Sequence, residues 1–167
     1  MNMSTTNYSI LDIWAILERI SDPEIPVLSV VDLGVVREVN ELDNGFEILI
    51  TPTYSGCPAM SMIETEIKAT LSELGIESKV KLILSPAWTT DWMSEKGKEK
   101  LKAYGIAPPE EENIDINALF GKSHTVECPQ CSSKNTVLIS QFGSTACKAL
   151  YKCNDCLEPF DYFKCLR

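Results

Sequence analysis

Apolar positions near the start of the chain recur at the spacing of one helix face. Ile10, Ile13, Leu17 and Ile20 form the stripe, and Ser9 before them is a residue type that caps helix starts. The prolines of Ser21-Asp-Pro-Glu-Ile-Pro26 cannot continue a helix. The pattern therefore predicts a first helix that ends at this loop.

The next pattern is a period-two alternation on both sides of a turn. Alternating segments run from Val35 to Val39 and from Phe46 to Thr51, with Asp43-Asn44-Gly45 between them. Asn-Gly is a favoured dipeptide for tight hairpin turns, so these residues predict a β-hairpin.

Helical spacing returns from about Pro58 to Leu74 and again from about Asp91 to Tyr104. Between these helices, Val80, Leu82 and Leu84 alternate with other residues, which predicts a strand with one fully buried face. The predicted order αββαβα indicates an α+β fold, a small mixed-sheet α/β sandwich.

The C-terminal part predicts a small β module held by a metal ion. Three short strands are expected, at 136–140, 146–152 and 159–164. Two Cys-x-x-Cys pairs surround the first two strands and resemble a zinc ribbon: Cys128 with Cys131, and Cys153 with Cys156. So short a piece buries too little apolar surface to fold without a metal. Zinc is the first expectation. Four thiolates can also hold an iron–sulfur cluster, and a pair of disulfides is the other alternative.

The boundary between the two modules is marked by helix-ending residues. Gly105 is a candidate helix C-cap, Pro108-Pro109 cannot continue a helix, and an acidic run follows. The expected organisation is a domain over 1–105, a linker over 106–122 and the four-cysteine module over 123–167. Because the modules share no predicted ligands, loss of the metal is expected to leave residues 8–104 folded.

Charge and apolar content limit the function classes. The net charge is −9, and residues 1–120 hold 9 Lys and Arg against 20 Asp and Glu, whereas residues 121–167 hold 6 against 4. An acidic body disfavours nucleic-acid binding. Neither a membrane span nor a signal peptide is recognisable. With 7 cysteines and no export signal, reduced thiols in a cytoplasmic protein are expected.

Outside the ribbon, Cys57 is the main candidate for chemistry. It follows a predicted strand and precedes Pro58, a residue suited to the first position of a helix. A sulfur at a helix N-terminus is favoured as thiolate, which would make it nucleophilic or metal-binding. A buried inert cysteine is the alternative.

Acidic residues on the Pro-containing loop are candidate oxygen ligands. Asp22 and Glu24 flank Pro23, and Asp32 follows ten residues on. Simple turn formation by Asp22, with a solvated Glu24, is the alternative.

The remaining polar and aromatic candidates favour structural interpretations. His124, the single histidine, is predicted at the surface, so no histidine-dependent triad is expected. Trp88 and Trp92 are expected in the core more than on a functional surface. Cys147 and Cys165 are interpreted as small buried residues of the C-terminal module.

Two segments of the first domain resemble a known family. Asp22-Pro-Glu-Ile-Pro-Val-Leu-Ser-Val-Val-Asp-Leu-Gly-Val-Val36 and Thr51-Pro-Thr-Tyr-Ser-Gly-Cys-Pro58 are similar to the signature and reactive-cysteine loop of the metal–sulfur cluster assembly factor family. The resemblance covers about residues 8–104. It implies that Cys57 contacts a transient iron ion or iron–sulfur cluster, with Asp22 and Glu24 in support.

A second resemblance runs nearly end to end. The segments 86–94, 104–109 and 142–151 are similar to the PaaD family, whose members are components of phenylacetyl-CoA epoxidase systems. This resemblance implies a cytoplasmic accessory protein of aerobic phenylacetate degradation, which assists iron or iron–sulfur insertion and is not itself a catalyst. The implied partners are the reductase or oxygenase subunits, and a homodimer would complete a half-site at Cys57.

Two other functions remain open at this stage. A structural subunit would dock onto the oxygenase through its ribbon, with Cys57 buried and handling no metal. A thiol enzyme would use Cys57 as nucleophile or redox centre, but it needs a base near the sulfur and no histidine is available.

Overall fold

The computed structural model of the chain describes residues 8–109 and 125–164. Within those ranges the elements follow in the order α1 (Ile10–Leu17), β1 (Val36–Leu42), β2 (Gly45–Ile50), α2 (Ala59–Glu73), β3 (Ser78–Leu82), a 3₁₀ turn (Thr90–Trp92), α3 (Glu95–Tyr104), β4 (Ile106–Ala107), β5 (Thr136–Ser140), β6 (Lys148–Cys153) and β7 (Pro159–Phe163). The predicted order αββαβα and the α+β class are confirmed.

Side-chain caps explain where the helices begin. Ser9 accepts a hydrogen bond from the backbone of Asp12, and the Asp12 carboxylate accepts one from the Ser9 N–H, 2.8 Å away, which completes a capping box. Ser94 caps α3 by accepting from the Gly97 N–H at 2.9 Å. Helix α3 ends at Gly105, whose left-handed φ of 90° is the conformation predicted for its C-cap.

The first sheet has the strand order β1-β2-β3 and carries the predicted hairpin. Strands β1 and β2 are antiparallel, and Leu42 pairs with Gly45 across a two-residue loop. A Cβ atom at Gly45 would lie 2.1 Å from the carbonyl oxygen of Glu77, so only glycine fits there. Strand β3 lies parallel to β2 on the other side.

The prediction that β3 has one fully buried face is wrong. Val80 is half-buried, Leu82 is 48% exposed, and Leu84 beyond the strand is 62% exposed. In the sheet order β3 is an edge strand. The alternation of apolar residues therefore follows from the geometry of a strand. Among the described residues, no second layer covers the side of β3 that carries these apolar side chains.

The second sheet has the order β4-β7-β6-β5 and begins inside the segment predicted as linker. Strand β4 pairs in parallel with β7, Ile106 opposite Asp161 and Ala107 opposite Tyr162. The start of the predicted linker 106–122 is thus a strand that joins the C-terminal sheet to the end of α3. Residues 110–122 of that linker, His124 and Cys165 lie outside the described residues.

The apolar core is continuous between the first domain and the C-terminal module. One buried cluster contains Ile13 and Leu17 of α1 and also Ile106, Cys147 and Phe163. A smaller cluster lies within the second sheet and contains Ala107, Val126, Ala149, Tyr151 and Phe160. The two modules are therefore packed against each other. None of the helices in the described ranges has the length and apolar character that a bilayer crossing requires.

Candidate functional site

The two Cys-x-x-Cys pairs converge on one point. The sulfur atoms of Cys128, Cys131, Cys153 and Cys156 all lie within 4.8 Å of one another. The Cys128–Cys156 and Cys131–Cys153 sulfur distances are 3.7 and 3.6 Å. A tetrahedral ion with Zn–S bonds of about 2.3 Å would hold its sulfurs roughly 3.8 Å apart. The donor set therefore fits a four-thiolate metal ion.

Each cysteine pair has the same local backbone conformation. The residue after the second cysteine is left-handed in both pairs, with φ of 59° at Ser132 and 67° at Leu157. This turn directs backbone N–H groups at the sulfurs. The N–H of Cys156 above all lowers the pKa of Cys153 to about 7, with a further N–H from Asp155. Such donors favour the thiolate that a metal ion requires. Burial and the neighbouring sulfur atoms act in the opposite direction, and they raise the pKa of Cys131 to about 12 and also raise the pKa of Cys156.

Polar side chains also tie the two cysteine turns together, which the spacing of the cysteines does not indicate. The Asp155 carboxylate accepts hydrogen bonds from the Ser133 hydroxyl at 2.5 Å and from the Asn135 amide at 2.7 Å. Asn154 donates to the Asn135 side-chain oxygen at 3.0 Å. These contacts align the two turns independently of a metal ion.

Cys57 lies on the loop between β2 and α2, as predicted. Its side chain is half-buried, and its carbonyl oxygen accepts from the Met60 N–H in the first turn of the helix. Pro58 occupies the N-cap position of α2. The Tyr54 side chain lies close enough to the Cys57 sulfur to lower the pKa of that thiol, as the smallest of its named influences.

The pKa of the Cys57 thiol is raised, opposite to the sequence prediction of a stabilised thiolate. Burial is the largest cause, and the negative charges of Glu24 and Asp22 add to it. The N–H of Ala59 at the helix start does lower the pKa, as the helix position predicts, but it is outweighed. Burial and these charges therefore favour the thiol form of Cys57 over the thiolate.

Asp22 and Glu24 have different roles in the loop. One oxygen of Asp22 accepts from the backbone N–H groups of Glu24 and Ile25, both at 2.8 Å, so Asp22 forms the turn. Burial raises the pKa of Asp22. Its charge still reaches Cys57. Glu24 uses its side chain differently and places a carboxylate oxygen 3.9 Å from the sulfur of Cys147.

Cys147 is the residue that sequence reasoning placed in the wrong surroundings. It is buried, as predicted, but it packs in the cluster of the first domain and faces Glu24. Its sulfur also lies 3.1 Å from the Thr145 hydroxyl. The available signal was that Cys147 belongs to neither Cys-x-x-Cys pair.

The other sequence candidates are structural. Asp32 is buried, accepts from the Ser29 N–H at 3.2 Å, and forms an ion pair with Lys100. The Trp88 ring is buried and its N–H donates to the Leu33 carbonyl oxygen at 3.0 Å. The Arg37 guanidinium lies over the Trp92 ring, with its central carbon 3.4 Å from the ring centroid.

Two protein families match different parts of the chain. The family described as "Iron-sulfur cluster assembly protein" matches residues 11–82. The family described as "PaaD zinc beta ribbon domain" matches residues 113–164.

Relatives of known name fall into two groups. A protein of Escherichia coli (strain K12), named as the putative D component of 1,2-phenylacetyl-CoA epoxidase, is 50% identical over 93% of this chain and 92% of its own length. A protein of Bacillus subtilis (strain 168), "Fe-S protein maturation auxiliary factor YitW", is 36% identical over 52% of this chain and 87% of its own. The first similarity spans both modules, whereas the second covers about half of the chain.

A solved structure supports the fold of the first domain. The crystal structure of the domain of unknown function DUF59 from Bacillus anthracis has a TM-score of 0.51 and 31% sequence identity. The match covers 55% of this chain and 90% of that structure.

Proposed function

The chain belongs to the PaaD family of phenylacetyl-CoA epoxidase components, and from this membership we propose that it is an accessory protein that assists insertion of iron or an iron–sulfur cluster into such an epoxidase. The relatives named as Fe–S maturation auxiliary factors support this role for the first domain. The protein acts on another subunit and is not itself the catalyst.

The observation that carries the proposal is that the Cys57 thiol lies within electrostatic reach of two carboxylates. Cys57 is half-buried at the start of α2, and the charges of Glu24 and Asp22 reach its sulfur. A sulfur and hard oxygen donors together suit iron. Because so few ligands are present, a bound ion is not trapped and can pass to a client.

The ribbon metal has a separate role. We infer that Cys128, Cys131, Cys153 and Cys156 hold a structural zinc ion, because their sulfur spacing fits a closed tetrahedral site with no open position. When bound, zinc supplies no redox chemistry; it holds the two cysteine turns together. The transferred iron therefore belongs at Cys57 and not at the ribbon.

The surroundings of the protein follow from the same chemistry. The client is the reductase or the oxygenase subunit of the epoxidase, and the protein works in the cytoplasm, where its thiols stay reduced. In a homodimer, a second copy of the chain would supply the remaining ligands for the ion at Cys57.

The test compares epoxidase subunits produced with the chain, without it, and with Cys57→Ser. Iron and acid-labile sulfide per epoxidase are measured after anaerobic purification. We expect both to fall without the chain and to be restored by the wild type but not by Cys57→Ser. Ser55→Ala, at an exposed position of the same loop, is the matched control and is expected to restore both. Full restoration by Cys57→Ser would contradict the proposal.

A structural docking role is the second candidate. The observation that favours it is an exposed apolar row on the edge strand β5, Val137 and Ile139, with exposed Phe142 just beyond. In that case Ile139→Lys would abolish co-purification with the oxygenase, while Cys57→Ser would leave the epoxidase fully loaded with iron.

A further inference from the structure

The two cysteine turns, residues 128–133 and 153–158, extend beyond the paired part of β5 and β6. The register of these strands reaches Thr136 opposite Cys153, the first cysteine of the second pair. The other three ligand positions lie past this point, yet two sulfur–sulfur distances across the turns are only 3.6 and 3.7 Å. Strand pairing alone therefore does not account for the close approach of the two turns.

Asp155 supplies a side chain that bridges the turns. One oxygen of its carboxylate accepts from the Ser133 hydroxyl at 2.5 Å, and the other accepts from the Asn135 amide at 2.7 Å. Both donors follow the first cysteine pair, whereas Asp155 lies within the second pair. Hydrogen bonds to an ionised carboxylate are about twice as strong as those between neutral groups. The bridge therefore joins the turns by two strong contacts from one residue.

Neighbouring hydrogen bonds hold the partners of Asp155 in place. The Asn135 side-chain oxygen accepts from the Asn154 amide at 3.0 Å, and the Asn135 carbonyl oxygen accepts from the Asn154 N–H at 2.9 Å. The Ser133 carbonyl oxygen accepts from the N–H of the ligand Cys128 at 2.9 Å. The backbone of Cys128 is thus coupled through Ser133 to Asp155 in the other turn.

We propose that Asp155 is a positioning residue of the four-cysteine site, whose carboxylate keeps the two turns at ligating distance and so slows the loss of the zinc ion. This inference rests on the proposed structural zinc and names the residue that holds that site closed. Asp155 does not bind the ion, because it acts through the turns that carry the four sulfurs.

The exposure of the ligands indicates how the ion can be lost. Cys128 and Cys153 are buried, whereas Cys131 is exposed and Cys156 is half-buried. Solvent or a competing chelator therefore reaches the site from one side. Complete loss of the ion requires the turns to separate, because each turn by itself offers only two of the four sulfurs. The bridge from Asp155 opposes that separation.

A carboxylate suits this position better than an amide of the same size. Both oxygens of Asp155 accept hydrogen bonds, whereas an asparagine side chain offers one acceptor oxygen and carries no charge. Asp155→Asn should therefore weaken the bridge without removing it, whereas Asp155→Ala removes it. The effect of substitution on zinc release is expected to be graded in the same order.

The test measures the rate at which zinc leaves the full-length protein. Zinc-loaded protein is mixed anaerobically with an excess of a chromogenic zinc chelator, and the absorbance of the chelator–zinc complex is followed. We expect Asp155→Ala to release zinc about tenfold faster than the wild type, at the lower end of what the loss of an outer contact costs a metal site. Asp155→Asn should lie between the two. Glu158→Gln removes the same charge from an exposed side chain of the same turn and is expected to keep the wild-type rate.

A double variant tests whether Asp155 acts through the opposite turn. Ser133→Ala removes one of the two donors to the carboxylate, so it is expected to accelerate zinc release less than Asp155→Ala. In the variant with both substitutions, the acceleration should be smaller than the product of the two single effects, because both remove the same contact. Effects that multiply in full overturn the proposal, and so does an equal acceleration in Glu158→Gln.

The zinc content of the wild type separates this inference from the proposed structural zinc. A wild-type protein that binds no zinc at the four cysteines overturns both. Zinc bound by the wild type, with an unchanged release rate in Asp155→Ala, overturns only the positioning role of Asp155. Tryptophan fluorescence at saturating Zn²⁺ is recorded for every variant to show that the chain is folded. If Asp155→Ala does not fold, Asp155→Asn carries the test, and a wild-type rate in that variant overturns the proposal.

Discussion

The ring of Phe163 meets the ring of Trp88 edge-on, with the ring centroids 6.0 Å apart and the planes at 79°. Trp88 precedes α3 of the first domain and donates its N–H to the Leu33 carbonyl oxygen, whereas Phe163 ends β7 of the C-terminal module. Both side chains are buried. The aromatic pair therefore joins the two modules through their shared core, in addition to the β4–β7 pairing.

Phe163→Ala is expected to destabilise the whole chain. Loss of a fully buried phenylalanine costs about 3–5 kcal/mol of unfolding free energy, because a cavity remains and the contact with Trp88 is lost. The change is measured by urea denaturation followed by tryptophan fluorescence. Phe142→Ala is the matched control, because Phe142 is 59% exposed, and it is expected to change stability little. Equal effects of the two substitutions would contradict a shared core.

Removal of the ribbon metal is expected to loosen the first domain as well as the ribbon. The sequence suggested that residues 8–104 would stay folded, but Ile106, Cys147 and Phe163 belong to the core cluster of the first domain. Hydrogen–deuterium exchange after chelation is expected to rise in β5–β7 and also around Trp88 and α3. Re-addition of Zn²⁺ should reverse both changes. An increase confined to residues 125–164 would show that the modules are independent.

Leu157→Gly is expected to stabilise the zinc-loaded protein by up to about 1 kcal/mol. A left-handed conformation costs a non-glycine residue roughly 1–2 kcal/mol, and the greater freedom of glycine in the unfolded chain offsets part of the gain. Leu157 has φ of 67° and is 64% exposed, so little packing is lost. The melting temperature at saturating Zn²⁺ measures the effect. Leu157→Ala keeps the strained conformation and should give no gain; an equal gain from alanine would show that removal of the exposed leucine side chain, and not relief of strain, is the cause.

In zinc-loaded protein, the rate of Cys57 alkylation is expected to rise with pH, with its midpoint above the ordinary cysteine pKa of about 8.5. Burial and the acidic neighbours raise the pKa of Cys57. The thiolate is the reactive form, so its reaction with iodoacetamide should increase only as pH rises through that raised value. Peptide mass spectrometry across a pH series follows the rate at this residue.

The variant Glu24→Gln should move this midpoint to lower pH, because it removes one negative charge beside the sulfur. Glu64→Gln on α2, whose carboxylate pairs with Lys68 at 2.6 Å, is the control and should leave the midpoint unchanged. A wild-type midpoint below the ordinary value would instead support the thiolate predicted from the helix position.

The order of elements was predictable because each depends on neighbours in the chain. The helix start at Ser9 needs only a side chain within three residues, and the hairpin needs only its turn. Helix α3, in contrast, begins at Glu95 and not at about Asp91 as predicted, because a 3₁₀ turn at Thr90–Trp92 precedes its cap Ser94. Burial of β3 was not predictable in the same way. Whether Leu82 and Leu84 are covered depends on which layers pack above the sheet. The alternation of residues along the strand does not indicate this.

By itself the sequence determined the local chemistry: two cysteine pairs that meet, a cysteine before a helix, and carboxylates on a proline-stiffened loop. Only the tertiary structure decided the surroundings of those groups. Desolvation and charges from a distant loop reverse the expected direction of the Cys57 pKa, and packing brings Cys147 to Glu24, 123 positions away along the chain. The physical reason is that burial and electrostatic energy depend on distance in space, whereas a sequence pattern records only distance along the chain.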